Sequence, residues 1–119
     1  MSENVPSVSL ADARHPFFAG VDVGGTSIKL GIVDDNGSTV AFTRIDTNAT
    51  VEVEETLPRL ADSLKQLLSG EGLSFDDLAG IGLGTPGTMD IPAGLILEPP
   101  NLPGWRHYPV RDEMRRLCD

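Results

Sequence analysis

Three short runs of apolar and β-branched residues in the first half of the chain have the period of β-strands. The runs are Phe17 to Val23, Ser27 to Val33 and Thr39 to Ile45. The first run is apolar almost throughout, which is typical of a strand at the centre of a sheet. The turn sequence DDNG, Asp34 to Gly37, separates the second run from the third. The pattern therefore predicts an antiparallel meander that begins with a central strand.

The spacing of apolar residues then changes to that of an amphipathic helix. Its apolar residues are Leu57, Leu60, Ala61, Leu64, Leu67 and Leu68. Pro58 lacks a backbone donor, so we place it in the first turn and start the helix between Glu54 and Thr56. Gly70 and Gly72 are expected to end the helix.

The second half of the chain predicts another buried strand and another helix. Asp77 to Leu83 forms the strand, which should run parallel to the first strand because a helix connects them. The Pro- and Gly-rich stretch from Gly84 to Trp105 contains a short strand at Leu95–Leu97, and Pro109 to Leu117 starts a helix. We predict an α/β fold with a mixed sheet of about five strands and two helices. Residues 1–16 are expected to be a flexible leader to a domain spanning 17–119.

Composition and charge narrow the classes of partner. The chain has 119 residues, with 18 acidic against nine basic side chains and a net charge of −9. A surface this acidic argues against binding to nucleic acid or to an anionic membrane. No apolar run approaches the roughly 20 residues that span a bilayer. Cys118 is the only cysteine, so no intrachain disulfide can form, and we expect a cytoplasmic protein.

The first glycine segment lies between the first two strands and has two interpretations. Asp22 to Thr26 (DVGGT) can be a plain hairpin turn, because adjacent glycines adopt turn conformations easily. It can also be a phosphate loop, in which N–H groups of the bend and the hydroxyl of Thr26 or Ser27 donate to phosphate. Asp22 would then hold Mg²⁺, directly or through water. Lys29 either adds positive charge there or is a solvated surface lysine.

The second glycine segment follows the fourth predicted strand. GIGLGTPGTMD, Gly80 to Asp90, contains the letters G-x-G-x-x-G, but a dinucleotide site needs a helix directly afterwards and none is predicted. We therefore exclude NAD binding. Either this loop brings backbone close to another ligand, or it is a strand-end turn set by Pro86 and Gly87.

The third segment, Glu98 to Trp105 (EPPNLPGW), places one amide among prolines. The Asn101 amide has donors and an acceptor that suit sugar hydroxyls, although asparagine is also a common turn residue. We expect Trp105 to belong to the core. The two histidines and Cys118 form no zinc-ligand pattern.

These three segments, in this order, resemble the ROK family of bacterial sugar kinases and related repressors, and most nearly its glucokinases. The matching residues are GVDVGGTSIKLGIVD (Gly20–Asp34), GIGLGTPGTMD (Gly80–Asp90) and PNLPGW (Pro100–Trp105). The resemblance extends from Phe17 to the end of the chain. It implies the N-terminal lobe of a ribonuclease-H-like (actin-like ATPase) fold, which faces a larger second lobe across a cleft.

The resemblance also implies an activity and a set of site residues. Such enzymes transfer the γ-phosphoryl group of ATP to a hexose hydroxyl, as in the glucose phosphorylation of glycolysis, and we take glucose as the first candidate. The ATP phosphates and Mg²⁺ would meet Asp22, Gly24, Gly25, Thr26, Ser27 and Lys29, with Mg²⁺ at Asp22. Ser27 stands where many members carry lysine. The sugar would meet Gly87, Thr88 and Asn101.

Family features that the 119 residues do not contain complete the expectation. The general-base aspartate, in a segment like Glu-Asn-Asp-Ala, and the zinc motif are expected after residue 119. We therefore predict an N-terminal fragment that is inactive alone. The resemblance also implies that the complete protein is a homodimer built mostly through the missing lobe. One alternative is a sugar-responsive transcriptional regulator of the same family. Such regulators carry an N-terminal helix-turn-helix, and this alternative is disfavoured because only 16 residues, with Arg14 as their one basic residue, precede the first strand. The other is a noncatalytic sugar-binding module.

Overall fold

The elements of the computed structural model, which describes residues 6–48 and 52–119, follow the predicted order. The strands are β1 (Phe17–Val23), β2 (Ser27–Val33), β3 (Thr39–Asp46), β4 (Leu78–Gly84), β5 (Thr88–Asp90) and β6 (Leu95–Glu98). The helices are α1 (Val53–Gly70) and α2 (Val110–Leu117), with short 3₁₀ turns at Leu10–Asp12, Phe75–Asp77 and Pro103–Trp105. The predicted α/β class and the two helices are confirmed.

The main sheet has four strands in the order β3-β2-β1-β4. The first three strands form an antiparallel meander, and β4 joins β1 in parallel after the α1 crossover. The central position of β1 and the parallel pairing of β4 are confirmed. The strands β5 and β6 form a separate two-stranded sheet, so six strands lie in two sheets instead of about five in one. Strand β5 was not predicted, because three residues are too few to show a period of two.

One face of the main sheet is buried under α1 and the other is open. Side chains alternate along β2, where Ile28, Leu30 and Ile32 are fully buried, as predicted. They pack in one core with the apolar stripe of α1, which consists of Val53, Leu57, Leu60, Leu64 and Leu68. Asp22 and Lys29 are directly paired across β1 and β2, and strand alternation puts both on the open face.

The start of α1 differs from the prediction. The helix begins at Val53, so Pro58 falls in its second turn, and the prediction that it lies in the first turn is wrong. A proline there removes the hydrogen bond to the carbonyl of Glu54, four residues earlier. Glu54 is exposed, so water can replace the missing donor. In the described ranges, no helix combines the length and the apolar composition that a membrane span requires.

Residues 6–16 run beside β3 and the turn between β2 and β3. The N–H groups of Ser7 and Val8 both donate to the carbonyl oxygen of Thr39, at 2.8 and 3.2 Å. Further along, the Arg14 N–H donates to the Asp34 carboxylate at 3.0 Å. The flexibility assigned to residues 1–16 stays a prediction, and their described part makes these contacts.

Asp34 is the polar centre of the turn. Its buried carboxylate accepts hydrogen bonds from the N–H groups of Arg14, Asn36 and Ser38. These bonds, that of Arg14 above all, hold the pKa of Asp34 below its ordinary value of 3.8, although burial acts in the opposite direction. The carboxylate therefore stabilises the turn in its ionised form.

This lowered pKa predicts an acid-dependent contribution to stability. Between the folded and unfolded pKa values of Asp34, the unfolded chain binds more protons than the folded chain, so stability falls as the pH falls through this interval. Asp34→Asn should be less stable than the parent near neutral pH, and the difference should shrink in acid. Denaturant unfolding from neutral pH down to about pH 3 measures both effects. Asp35→Asn, an exposed neighbour, is the control, and a constant difference between Asp34→Asn and the parent would contradict the prediction.

Candidate functional site

The first two glycine segments meet at one edge of the main sheet. Because β1 and β4 are parallel, their carboxyl ends lie side by side, and Asp22 is paired with Gly84. A methyl group added at Gly84 would lie 3.9 Å from Oδ1 of Asp22. The bend that follows β1 and the loop that follows β4 therefore begin at the same place.

The third segment is a turn that contacts both of those loops. The N–H of Leu102 donates to the Pro99 carbonyl at 3.4 Å, and Asn101 has a left-handed φ of 62°. A methyl group on Gly25 would lie 3.9 Å from Cβ of Asn101, and one on Gly87 would lie 2.8 Å from Cα of Pro99. The three sequence motifs therefore lie next to one another at this edge of the sheet.

The bend after β1 is a hairpin turn with free backbone donors. The Gly24 N–H donates to the Ser27 carbonyl at 2.9 Å, and a methyl group on Gly24 would lie at the same distance from that oxygen. Glycine is therefore required there. Across residues 6–48 and 52–119, no oxygen accepts a hydrogen bond from the N–H of Gly25 or Thr26, and both residues are exposed. The bend is thus a hairpin that can also bind an anion.

Thr47, which sequence reasoning missed, holds the bend in place. Its N–H donates to the Thr26 carbonyl at 2.9 Å, and its Oγ1 donates to the Gly24 carbonyl at 2.8 Å. The residue is fully buried, and its own carbonyl accepts from Nη2 of Arg59 at 3.2 Å. The predicted meander could have indicated this role, because antiparallel pairing puts the end of β3 beside the start of β2.

Replacing Thr47 with valine should loosen the bend. Valine keeps the shape but removes the hydroxyl, which leaves the Gly24 carbonyl without its partner, and we expect a loss of about 1–3 kcal/mol in the free energy of unfolding. Denaturant unfolding of the 119-residue chain measures it. Thr43→Val in the middle of β3 is the matched control, and equal midpoints for the two variants would show that the Thr47 hydroxyl does not stabilise the bend.

The carboxylate near the bend suits a cation that is bound together with substrate phosphates. Asp22 is exposed at the end of β1 and lies directly across from Lys29. Nowhere in the described residues do three His, Cys, Asp or Glu side chains form a metal-binding group. Mg²⁺ commonly binds through one or two carboxylates together with substrate phosphates and water. Asp22 and the free N–H groups of the bend fit a magnesium–nucleotide complex in this way.

Of two concave regions formed by the described residues, one includes predicted site residues and the other does not. A shallow cavity of about 490 Å³ on the open face of the sheet is lined by Asp22, Lys29 and Gly84, among others. A larger groove of about 990 Å³ lies between β4 and α2 and is lined mainly by apolar residues such as Ile81, Met89 and Met114. None of the predicted site residues lines the larger groove, so size alone does not identify the site.

The remaining predicted residues lie around the same edge. Ser27 is the first residue of β2, and Thr88 opens β5, exposed and paired with Glu98. Trp105 is fully buried, which confirms its place in the core. Thr85, which sequence reasoning did not single out, has a buried hydroxyl that lacks a hydrogen-bond partner among the described residues.

Comparison with known proteins identifies relatives of this chain. The sequence profile of the ROK family matches residues 18–119. A glucokinase of Halalkalibacterium halodurans is 39% identical over 98 residues, which are 82% of this chain and 29% of that protein. A glucokinase of Thermotoga maritima is 30% identical over 97 residues, again 82% of this chain and 29% of that protein.

Solved structures show the same fold. The ROK hexokinase from Thermus thermophilus superposes with a TM-score of 0.74 at 28% identity, over 86% of this chain and 32% of that one. A ROK family glucokinase from Streptomyces griseus, in complex with glucose and AMPPNP, superposes with a TM-score of 0.70 at 26% identity, over 84% of this chain and 30% of that one. The chain thus spans less than a third of the length of these proteins.

Proposed function

The chain belongs to the ROK family, and from this premise we propose that the full-length protein phosphorylates a hexose with ATP, glucose being the first candidate. The observation that carries the proposal is that the three segments meet at one edge of the sheet. A methyl group on Gly25 would lie 3.9 Å from Cβ of Asn101, and one on Gly87 would lie 2.8 Å from Pro99 and Pro100. A bend suited to anions and a loop suited to hydroxyl groups therefore meet at one sheet edge, as the transfer of a phosphoryl group from a nucleotide to a sugar requires.

The residues of this chain would bind and orient the two substrates. The N–H groups of Gly25 and Thr26 donate to phosphate oxygens, and Asp22 orients the cation through its carboxylate or a water molecule. Mg²⁺, when bound with ATP, neutralises charge on the phosphates. We assign the neighbouring Ser27 hydroxyl and Lys29 ammonium to the same phosphate side.

The sugar side of the cleft holds the acceptor hydroxyl in line with the γ-phosphorus. The backbone of Gly87, the Thr88 hydroxyl and the Asn101 amide would bind sugar hydroxyls. The acceptor oxygen bonds to phosphorus as the bond to the ADP oxygen breaks, and ADP leaves with that electron pair. The hydroxyl proton passes to a carboxylate that we place in the protein beyond residue 119, so the 119-residue chain should not turn over alone.

The test is an ADP-release assay on the full-length protein with Mg-ATP. Glucose, N-acetylglucosamine and N-acetylmannosamine are supplied one at a time, with a reaction lacking sugar as the control. We expect ADP release that depends on a sugar, with the highest kcat/KM for glucose, and none from the 119-residue chain. Absence of sugar-dependent release with every sugar would remove the proposal. Duplex-DNA binding at moderate salt, tested in parallel, would favour the regulator alternative.

A further inference from the structure

The turn from Pro99 to Leu102 is buried at both ends and exposes Asn101. Leu102 is fully buried and Pro99 is buried, so both ends of the turn are anchored. Asn101 itself is exposed, with the left-handed φ of 62° that asparagine tolerates better than most residues. Asn101 is therefore an exposed residue on a turn whose two ends are anchored in the core.

Asn101 lies between the two halves of the proposed site. On one side a methyl group at Gly25 would be in van der Waals contact with its Cβ, at 3.9 Å, and Gly25 and Thr26 carry the free N–H groups. On the other side the same turn packs through Pro99 and Pro100 against Gly87, at the start of the sugar-facing loop. A residue that only recognised the sugar would not need to lie against the phosphate bend.

We propose, on the basis of the proposed kinase function, that Asn101 contacts the γ-phosphoryl group as well as the sugar and so aligns the two for transfer. An amide has the required groups, because its NH₂ donates to a phosphoryl oxygen while its carbonyl oxygen accepts from a sugar hydroxyl. It is also uncharged, which allows it to lie beside phosphate where a carboxylate would be repelled.

Two variants of the full-length protein separate this role from sugar recognition alone. Asn101→Asp keeps the size, the acceptor and the tolerance for a left-handed φ, but exchanges the donor for a negative charge. Asn101→Gly removes the side chain without strain, because glycine adopts a φ of 62° freely. Asn36→Asp adds the same charge in the turn at the opposite edge of the sheet and is the matched control.

We expect Asn101→Asp to weaken binding of Mg-AMPPNP, measured by calorimetry without sugar, by about 10-fold, and to lower kcat by about 100-fold. Asn101→Gly should lower kcat by about 10-fold but leave AMPPNP affinity within about 3-fold of the parent, because it loses a donor without gaining a charge. The control Asn36→Asp should match the parent in both measurements. Melting temperatures show whether each variant folds, and if the aspartate variant does not, the kcat and KM of Asn101→Gly decide.

An increase confined to the KM for sugar, with kcat and AMPPNP binding unchanged, would mean that Asn101 contacts the sugar alone and would overturn the inference. The binding experiment needs no turnover. If the parent shows no sugar-dependent ADP release, the proposed function fails, while equal AMPPNP affinity of the parent and Asn101→Asp would still overturn this inference separately.

Discussion

Asp22→Asn in the full-length protein should lower kcat by about 100-fold or more while leaving the KM for sugar within about 3-fold of the parent. Asparagine is nearly the same size, so the end of β1 should keep its pairing with Lys29 and Gly84. It lacks the negative charge that, in the proposed function, orients the magnesium ion. The residues that we propose to face the sugar, Gly87, Thr88 and Asn101, are unaltered, so the loss should appear in the transfer step.

Steady-state kinetics with varied Mg-ATP and varied sugar measure this prediction. Asp35→Asn is the matched control, because it removes one exposed carboxylate from the turn at the opposite edge of the sheet. It should behave as the parent. Equal turnover of Asp22→Asn and the parent would mean that the bend after β1 does not receive a magnesium–nucleotide complex.

Gly87→Ala should be strongly destabilising for a change of one methyl group. Gly87 has a φ of 85°, which alanine adopts only with strain. The added methyl carbon would lie 2.7 Å from the Glu98 carbonyl oxygen and 2.8 Å from both Pro99 and Pro100, and backbone and proline rings cannot move aside. We expect a loss of about 2–4 kcal/mol in the free energy of unfolding, from backbone strain and overpacking together.

The same substitution should separate the two loops that we propose to bind the sugar. In the full-length protein we therefore expect the KM for sugar to rise by about 10-fold or more, since displaced binding groups lose their hydrogen bonds. Gly82→Ala in β4 is the control, because a methyl group there meets no atom within 4 Å in the described residues. If both variants unfold at the same denaturant concentration, Gly87 is not packed as the structure shows.

Local features of the sequence predicted most of the elements correctly. The bounds of β1 and β2 match the predicted runs, β3, β6 and α2 differ by one residue at one end, and β4 is shifted by one residue at both ends. Each of these segments carries its own apolar period or turn signal, and such signals do not depend on distant parts of the chain. Their agreement is the reason that the order of elements could be predicted.

The misses have different physical causes. The role of Thr47 depends on Gly24, which is distant in sequence, and strand β5 depends on its partner β6. Nothing in the structure explains why α1 begins one residue before the predicted range. Strand β5 exists only through pairing with β6, and Thr47 has a function only because the meander brings it beside the bend. No local pattern distinguishes such residues from ordinary loop residues.

The sequence by itself determined the strands, the helices and the three glycine- and proline-rich segments. The spacing of apolar residues and the presence of turn-forming residues specify such elements locally. It also supplied the residue types suited to phosphate, magnesium and sugar. Only the tertiary structure decided that these residues meet. The parallel pairing of β1 with β4 puts Asp22 beside Gly84, and the packing of the Pro99–Leu102 turn puts Asn101 against Gly25. Those contacts join segments distant in the chain, and only packing the whole core can specify them.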